Sequence, residues 1–277
     1  MSLPRTTTTF TRLLTKRPPT HIIPHHQIRT IKAFAASSAI ESPSTLPSYH
    51  DRLDQPPTTT PTPSQSQSQS HSLTAAAEHL ITTHPLVQSL RSNPLYKESR
   101  PHLHMKPSHR PNHFVAGTLS GANKVTVPPY MFTSIVNKKQ PTQANNEDKK
   151  KEARRARLIS IFHIGPQLCG HPGYVHGGLL SVMFDEAFAR CVSDSFASGL
   201  GMTANLNVDF RKPALPDRVY VLKAETVKVE GRKAWVEGEM RSMPAEGEDG
   251  GETVVAEARA LFVEPKFAES MVPLYRN

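Results

Sequence analysis

The apolar positions of this chain change period as it runs, and each period predicts an element. Met131 to Asn137 and Arg157 to Ile164 are short runs rich in Ile, Phe, Val and Leu, the pattern of strands. From His176-Gly177-Gly178 onward, LLSVMFDEAFARCV is apolar nearly all round, which predicts a buried helix of about twenty residues. Met202, Ala204, Leu206, Val208 and Phe210 then alternate with Thr203, Asn205, Asn207, Asp209 and Arg211, the two-residue period of a half-buried strand with one polar face. Val219 to Val229 and Ala234 to Met240 flank Glu230-Gly231-Arg232, a hairpin signal; Pro244 to Gly251 reads as a loop, and Thr253 to Val263 supplies the last strand.

A single helix with no polar face needs a surface that wraps it. A curved antiparallel sheet around one long central helix does so, which predicts an α+β, hotdog-like fold over residues 113–268 with a short tail at 269–277. Between the first two strands, the charged segment Gln140 to Arg155, containing EDKKKEARR, reads as a solvated loop. Upstream, Ala75, Ala76, Ala77, Leu80 and Ile81 suggest one helix, and Pro85 with Leu86 and Leu90 a second. These make 73–112 a helical and loop segment docked on the main domain. Residues 41–72, ESPSTLPSYHDRLDQPPTTTPTPSQSQSQSHS, are too polar and Pro-rich to bury a core and read as a disordered linker.

Composition alters this picture at one end. Six of the 33 Lys and Arg residues fall in the first 40 positions (Arg5, Arg12, Lys16, Arg17, Arg29, Lys32), and the first acid is Glu41. The rest of the chain holds 27 basic against 24 acidic residues, so most of the net charge of +9 belongs to the terminus. A basic, Ser/Thr-rich, acid-free start predicts a mitochondrial transit peptide over 1–40 and a matrix location, and it does not point to nucleic acid. Two cysteines, Cys169 and Cys191, cannot build a disulfide framework, which suits a reducing compartment. No run of eighteen apolar residues predicts a transmembrane helix.

The candidate chemistry lies at the helix. The first N–H groups of a helix lack internal partners and carry the positive end of its dipole, and glycines there admit another molecule close to the backbone. His176-Gly177-Gly178 can therefore hold a developing oxyanion, as acyl transfer requires. Asp185 interrupts the apolar run seven residues past Gly178, roughly 10 Å along an α-helix. One carbonyl cannot touch both on a single helix, whereas two antiparallel helices would bring one subunit's Asp185 beside the other's helix start, an active site across a twofold interface. Glu186 is the rival carboxylate, turned about 100° away.

These residues resemble a family. His176-Gly177-Gly178 followed by Asp185 in GHPGYVHGGLLSVMFDEAF, with MTANLNVDFRKP (Met202 to Pro213) and VEGRK (Val229 to Lys233), is similar to the hotdog thioesterases, closest to the mitochondrial acyl-coenzyme A thioesterases. The resemblance covers about residues 130–265. It implies hydrolysis of an acyl-CoA thioester to a carboxylic acid and free coenzyme A by a homo-oligomer, with no cofactor or metal. It implies Asp185 as general base or nucleophile, Gly177 and Gly178 amides as oxyanion donors, His176 orienting the thioester, and Thr203 holding water or the carboxylate. Asp209, Arg211 and Arg232 match positions lining the coenzyme A groove, the arginines suiting phosphate through their planar forks.

Other readings carry less. A non-catalytic acyl-CoA or acyl-carrier binding protein, or a dimeric scaffold, would share the fold, and absence of turnover would mark either. His102, His104, His109 and His113 fall within twelve residues, but the prolines between them favour a surface loop over a metal site. Cys169 beside His171 or His176 reads as loop packing more than as a thiol nucleophile, and Ser181 as a small packing residue.

Overall fold

The computed structural model describes residues 63–136, 155–245, 247–248 and 250–271. The expected transit peptide, most of the linker and most of the charged loop lie outside them. Two helices, α1 (Pro63–Thr83) and α2 (Pro85–Ser92), come first. There follow strand β1 (Lys97–Ser99), the short helix α3 (Pro101–His104), β2 (Tyr130–Val136) and β3 (Arg155–Ile164). A small ladder, β4 (Cys169–His171) with β5 (Tyr174–Val175), leads into the central helix α4 (Gly177–Val192). Strands β6 (Met202–Phe210), β7 (Arg218–Glu230), β8 (Lys233–Ser242) and β9 (Thr253–Val263) complete the chain.

Seven strands form one antiparallel sheet in the order β1-β2-β3-β7-β8-β9-β6. It curls around α4, whose Leu179, Leu180, Met183, Phe184, Ala187, Phe188, Cys191 and Val192 are buried. Fully burying a large apolar side chain is worth about 1.5–3 kcal/mol, so this helix contributes substantially to the domain's stability. It has 16 residues and runs into a 3₁₀ turn at Ser193–Ser195, close to the expected length. The α+β hotdog architecture read from the sequence is the observed one.

β3 is apolar on both faces, and both are covered. Ala156, Leu158, Phe162 and Ile164 face α4, while Ile159 and Ile161 join Ala77, Ile81, Val87, Leu90, Phe132, Val219, Val221 and Met243 in a second cluster under α1 and α2. The segment before residue 113 is thus a packed layer, and β1 extends the sheet itself. Three polar residues carry no strand pattern, so only pairing with β2 reveals β1. One contact pins this layer. Arg100 lies 4.0 Å over the Tyr130 ring, donates to Glu78 at 2.6 Å and 3.2 Å and to Pro128 O at 3.0 Å. Glu78 also accepts from the Tyr130 hydroxyl, and burial first, then this bond, raises the tyrosine pKa to about 12.

Two boundaries need correction. α1 begins at Pro63, so residues 63–72 of the expected linker are helical: proline is tolerated in a first turn, and the helix extends back from the docked Ala77–Ile81 stretch through Ser and Gln. Arg155, assigned to the charged loop, begins β3 and donates to Val227 O at 3.1 Å. The hairpin signal is accurate, with Gly231 at φ +56° between β7 and β8. No helix among the described residues is long and apolar enough to cross a membrane.

Candidate functional site

The start of α4 is capped by its own histidine. His176 takes the N-cap position, and its Nδ1 accepts the Gly178 N–H at 2.9 Å, which leaves the ring proton on Nε2. The ring lies against the β4 backbone at Gly170, where a Cβ would come within 2.7 Å of His176 Cδ2; only glycine fits beneath it. The Gly178 amide is therefore already engaged, contrary to the expectation that both glycine amides are open to a ligand. The Gly177 N–H has no partner among the described residues, and it is the donor that remains at the positive end of the helix. The Phe210 ring, 55% exposed, lies over Gly177, 3.3 Å from where a Cβ would stand.

Asp185, half-buried on the same helix, accepts a hydrogen bond from the Thr203 hydroxyl at 2.6 Å. Simple alternation puts Thr203 on the polar side with Asn205 and Asn207, away from α4. The strand does otherwise. The β6–β9 register shifts between Thr203 and Asn205, so Ala204 is an extra residue. Beyond the bulge Thr203 pairs with Phe262, on the helix side, and its hydroxyl reaches the carboxylate. A bulge re-aims side chains in this way. On the other side of it, Leu206 and Val208 still pack toward the core.

Asp209 and Arg211 are brought together, and Arg232 lies apart from them. Arg211 N–H donates to Val255 O and Arg232 Nη1 to Glu264 O, so the arginines sit at opposite ends of β9. Nine residues of strand separate those ends, about 30 Å. One pyrophosphate cannot touch both on one chain. Arg211 pairs with Glu257 at 2.6 Å and with Asp209 at 3.7 Å. Asp209 and Arg211 line a groove of about 700 Å³ with Arg157, Lys223, Glu239 and Arg259, on the sheet face away from α4 and Asp185.

Residues 172–245, which span the helix start, α4, β6, β7 and β8, match the Thioesterase superfamily profile. This segment belongs to that superfamily. The chain is also 39% identical over 109 residues to an uncharacterised protein of Schizosaccharomyces pombe, covering 39% of this chain and 59% of that one. It is 36% identical over 107 residues to the acyl-coenzyme A thioesterase THEM4 of Rattus norvegicus, covering 39% and 43%. An uncharacterised protein of Candida albicans, named as mitochondrial, is 26% identical over 197 residues, covering 68% and 80%. The match thus spans less than two thirds of the fission-yeast protein and under half of the rat thioesterase.

Around the thioesterase segment, the four clustered histidines divide. His104 Nδ1 lies 3.0 Å from Arg100 O, whereas His102 and His113 turn inward to Glu186, the neighbour of Asp185. His102 is only 3% exposed, which corrects the surface-loop reading for that residue. Its partner lies 84 positions away, and nothing local signals the pairing. Neither thiol is made more acidic by its surroundings. Burial raises the Cys191 pKa to about 12, and burial followed by the Asp217 charge raises that of Cys169. Ser181 Oγ donates to Gly177 O at 3.3 Å, the local bond of a packing residue.

Proposed function

We propose that this protein is an acyl-coenzyme A thioesterase that works as a twofold homodimer, with each active site shared between subunits. The observation that carries the reading is the course of β6. Among the described residues this strand ends the sheet with one edge unpaired, and it runs antiparallel to α4, its Thr203 end bonded to Asp185 and its Phe210 end over Gly177. Met202 and Phe210 on it are 46% and 55% exposed, and a nine-residue edge with bare apolar side chains is a template for another strand. Pairing β6 with its own copy across a twofold axis sets the Asp185–Thr203 end of one subunit against the Gly177 end of the other. It also sets the Arg211 end of one β6 beside the opposite end of its copy, toward the partner's Arg232. Two arginines that one chain holds apart then serve one coenzyme A.

In the shared site the Gly177 N–H and the helix dipole polarise the thioester carbonyl. Asp185, oriented by Thr203, takes a proton from water as its oxygen attacks the carbonyl carbon. The tetrahedral oxyanion collapses, the C–S bond breaks, and the coenzyme A thiolate leaves and regains the proton from Asp185. Direct attack by the carboxylate, followed by hydrolysis of the resulting anhydride, gives the same products. The match of residues 172–245 to the Thioesterase superfamily, and the 36% identity over 107 residues to an acyl-coenzyme A thioesterase, support this chemistry. Purified protein should release thiol from acyl-CoAs of graded chain length. Failure with every chain length removes the hydrolase reading, and binding without turnover identifies a carrier.

Charge reversal at Arg211 or Arg232 should raise KM about 10–100-fold with a smaller fall in kcat, since a charge-assisted phosphate contact is worth about 1.5–3 kcal/mol. Unchanged KM in both variants would put the coenzyme A groove elsewhere. The name of the Candida albicans relative supports a mitochondrial site. Protein recovered from mitochondria should lack roughly the first 30–40 residues, and mass spectrometry of its N-terminus decides. An intact Met1 counts against a cleaved presequence.

A further inference from the structure

Glu186 follows Asp185 on the same turn of α4, so whatever fixes one residue's backbone constrains the other. Two imidazoles converge on its carboxylate from the segment before β2. His102 Nε2 lies 2.9 Å and His113 Nε2 3.9 Å from Oε1. The three side chains are 4%, 13% and 19% exposed, for His102, His113 and Glu186 in turn, so the cluster is largely but not fully screened from water. The two rings are 5.4 Å apart and tilted by 57°.

The protons can be assigned. His113 caps the π-helical turn Phe114–Thr118, its Nδ1 accepting the Ala116 N–H at 3.1 Å. Its hydrogen therefore sits on Nε2, facing Glu186. Burial lowers the His113 pKa; Glu186 opposes this and His102 adds to it, so the ring is a neutral N–H donor at neutral pH. The same protonation disfavours a divalent ion among these three groups. A ligating Nε2 must be bare, and a ligating histidine ordinarily donates from its other nitrogen, which here accepts.

The segment that supplies the histidines is tightly folded. A Cβ on Gly117 would come within 2.3 Å of Arg110 O and 2.9 Å of Pro111 O, so residues 110–117 close on themselves. Val115 enters the core beside α4. A tightly folded piece of chain is thus joined to the middle of the helix through the half-buried Glu186 carboxylate and the Val115 side chain.

We propose that Glu186 is a positioning residue for Asp185: held by His102 and His113, it pins the 101–118 segment across the central helix and fixes the turn from which Asp185 projects. This rests on the thioesterase reading with Asp185 at the reacting centre. Misplacement of a reacting group by about 1 Å can cost as much as 100-fold in rate.

The test compares full-length wild type, Glu186→Ala, Glu186→Gln and Asp185→Asn, by thiol release from acyl-CoA and by amide hydrogen exchange. Glu186→Ala should lower kcat about 10–100-fold with KM within about twofold, and exchange at residues 113–118 should speed up at least about tenfold while β7 and β8 keep their rates. Glu186→Gln keeps an acceptor for the His102 N–H and should recover most of the rate, while Asp185→Asn stays the slower. Unchanged kcat and exchange in Glu186→Ala overturn the proposal. So does a Glu186→Gln variant as inactive as Asp185→Asn, because Glu186 would then itself act on the substrate. A stoichiometric divalent metal in the purified protein, lost in Glu186→Ala, overturns it as well. If wild type hydrolyses no acyl-CoA, the thioesterase reading fails and the positioning role with it, while exchange still decides whether the pin exists.

Discussion

Asp185→Asn is expected to fold, keep its oligomeric state and lose about 10²–10⁴-fold in kcat. The amide has the size of the carboxylate, and its oxygen still accepts the Thr203 hydroxyl that Asp185 accepts at 2.6 Å. What disappears is the capacity to take a proton from water or to attack the thioester. KM should move little, because the carboxylate acts on the reacting carbon and not on the coenzyme A handle. Thermal unfolding and sizing by light scattering check the first half of this expectation, and steady-state thiol release checks the second. A variant with full activity would make Asp185 a structural residue. One that is unfolded calls for Thr203→Val as the substitute, which removes the orienting hydroxyl and leaves the aspartate in place.

The second large effect is complementation. The structure selects Gly177→Pro as the partner variant, since the Gly178 amide already serves His176 and the Gly177 N–H does not. Position 177 opens the helix, where proline is tolerated, and His176 at φ −63° and ψ 127° has the extended backbone that precedes proline well. A Cβ at this position comes nearest the Phe210 ring, at 3.3 Å, and that exposed side chain can swing aside. Gly177→Pro and Asp185→Asn should each be nearly inactive alone. Refolded together in equal amounts, half of the dimers are mixed, and each mixed dimer holds one site with a native Asp185 and a native Gly177 amide. Activity should return to about a quarter of wild type. If native mass spectrometry finds the mixed dimers and the activity stays at the level of the parents, the two halves of the site do not come from different subunits.

How much of this was legible beforehand follows from what each feature depends on. The helix, strands β2, β3 and β6 to β9 and the hairpin at Gly231 are written in local periodicity, and periodicity survives folding because burial on one side of a strand or around a helix is what selects it. His176, Gly177 and Asp185 were readable for the same reason. A carboxylate inside an apolar helical run and a glycine pair at its start violate the local pattern, and such violations mark function.

The sequence by itself thus determined the hotdog architecture, the central helix and the aspartate on it. The tertiary structure decided which groups those residues meet. Thr203 reads as outward-facing, and only the pairing of β6 with β9, with Ala204 bulged out, turns it to Asp185. Which helix-start amide is open depends on a rotamer of His176 that Gly170, in another strand, makes room for. Arg211 and Arg232 look like one pair in sequence, yet β9 holds them about 30 Å apart. Glu186 finds His102 across 84 residues. Local pattern fixes which side of an element is apolar. Bulges, rotamers and partners far along the chain are set by packing between elements, which no short window of sequence contains.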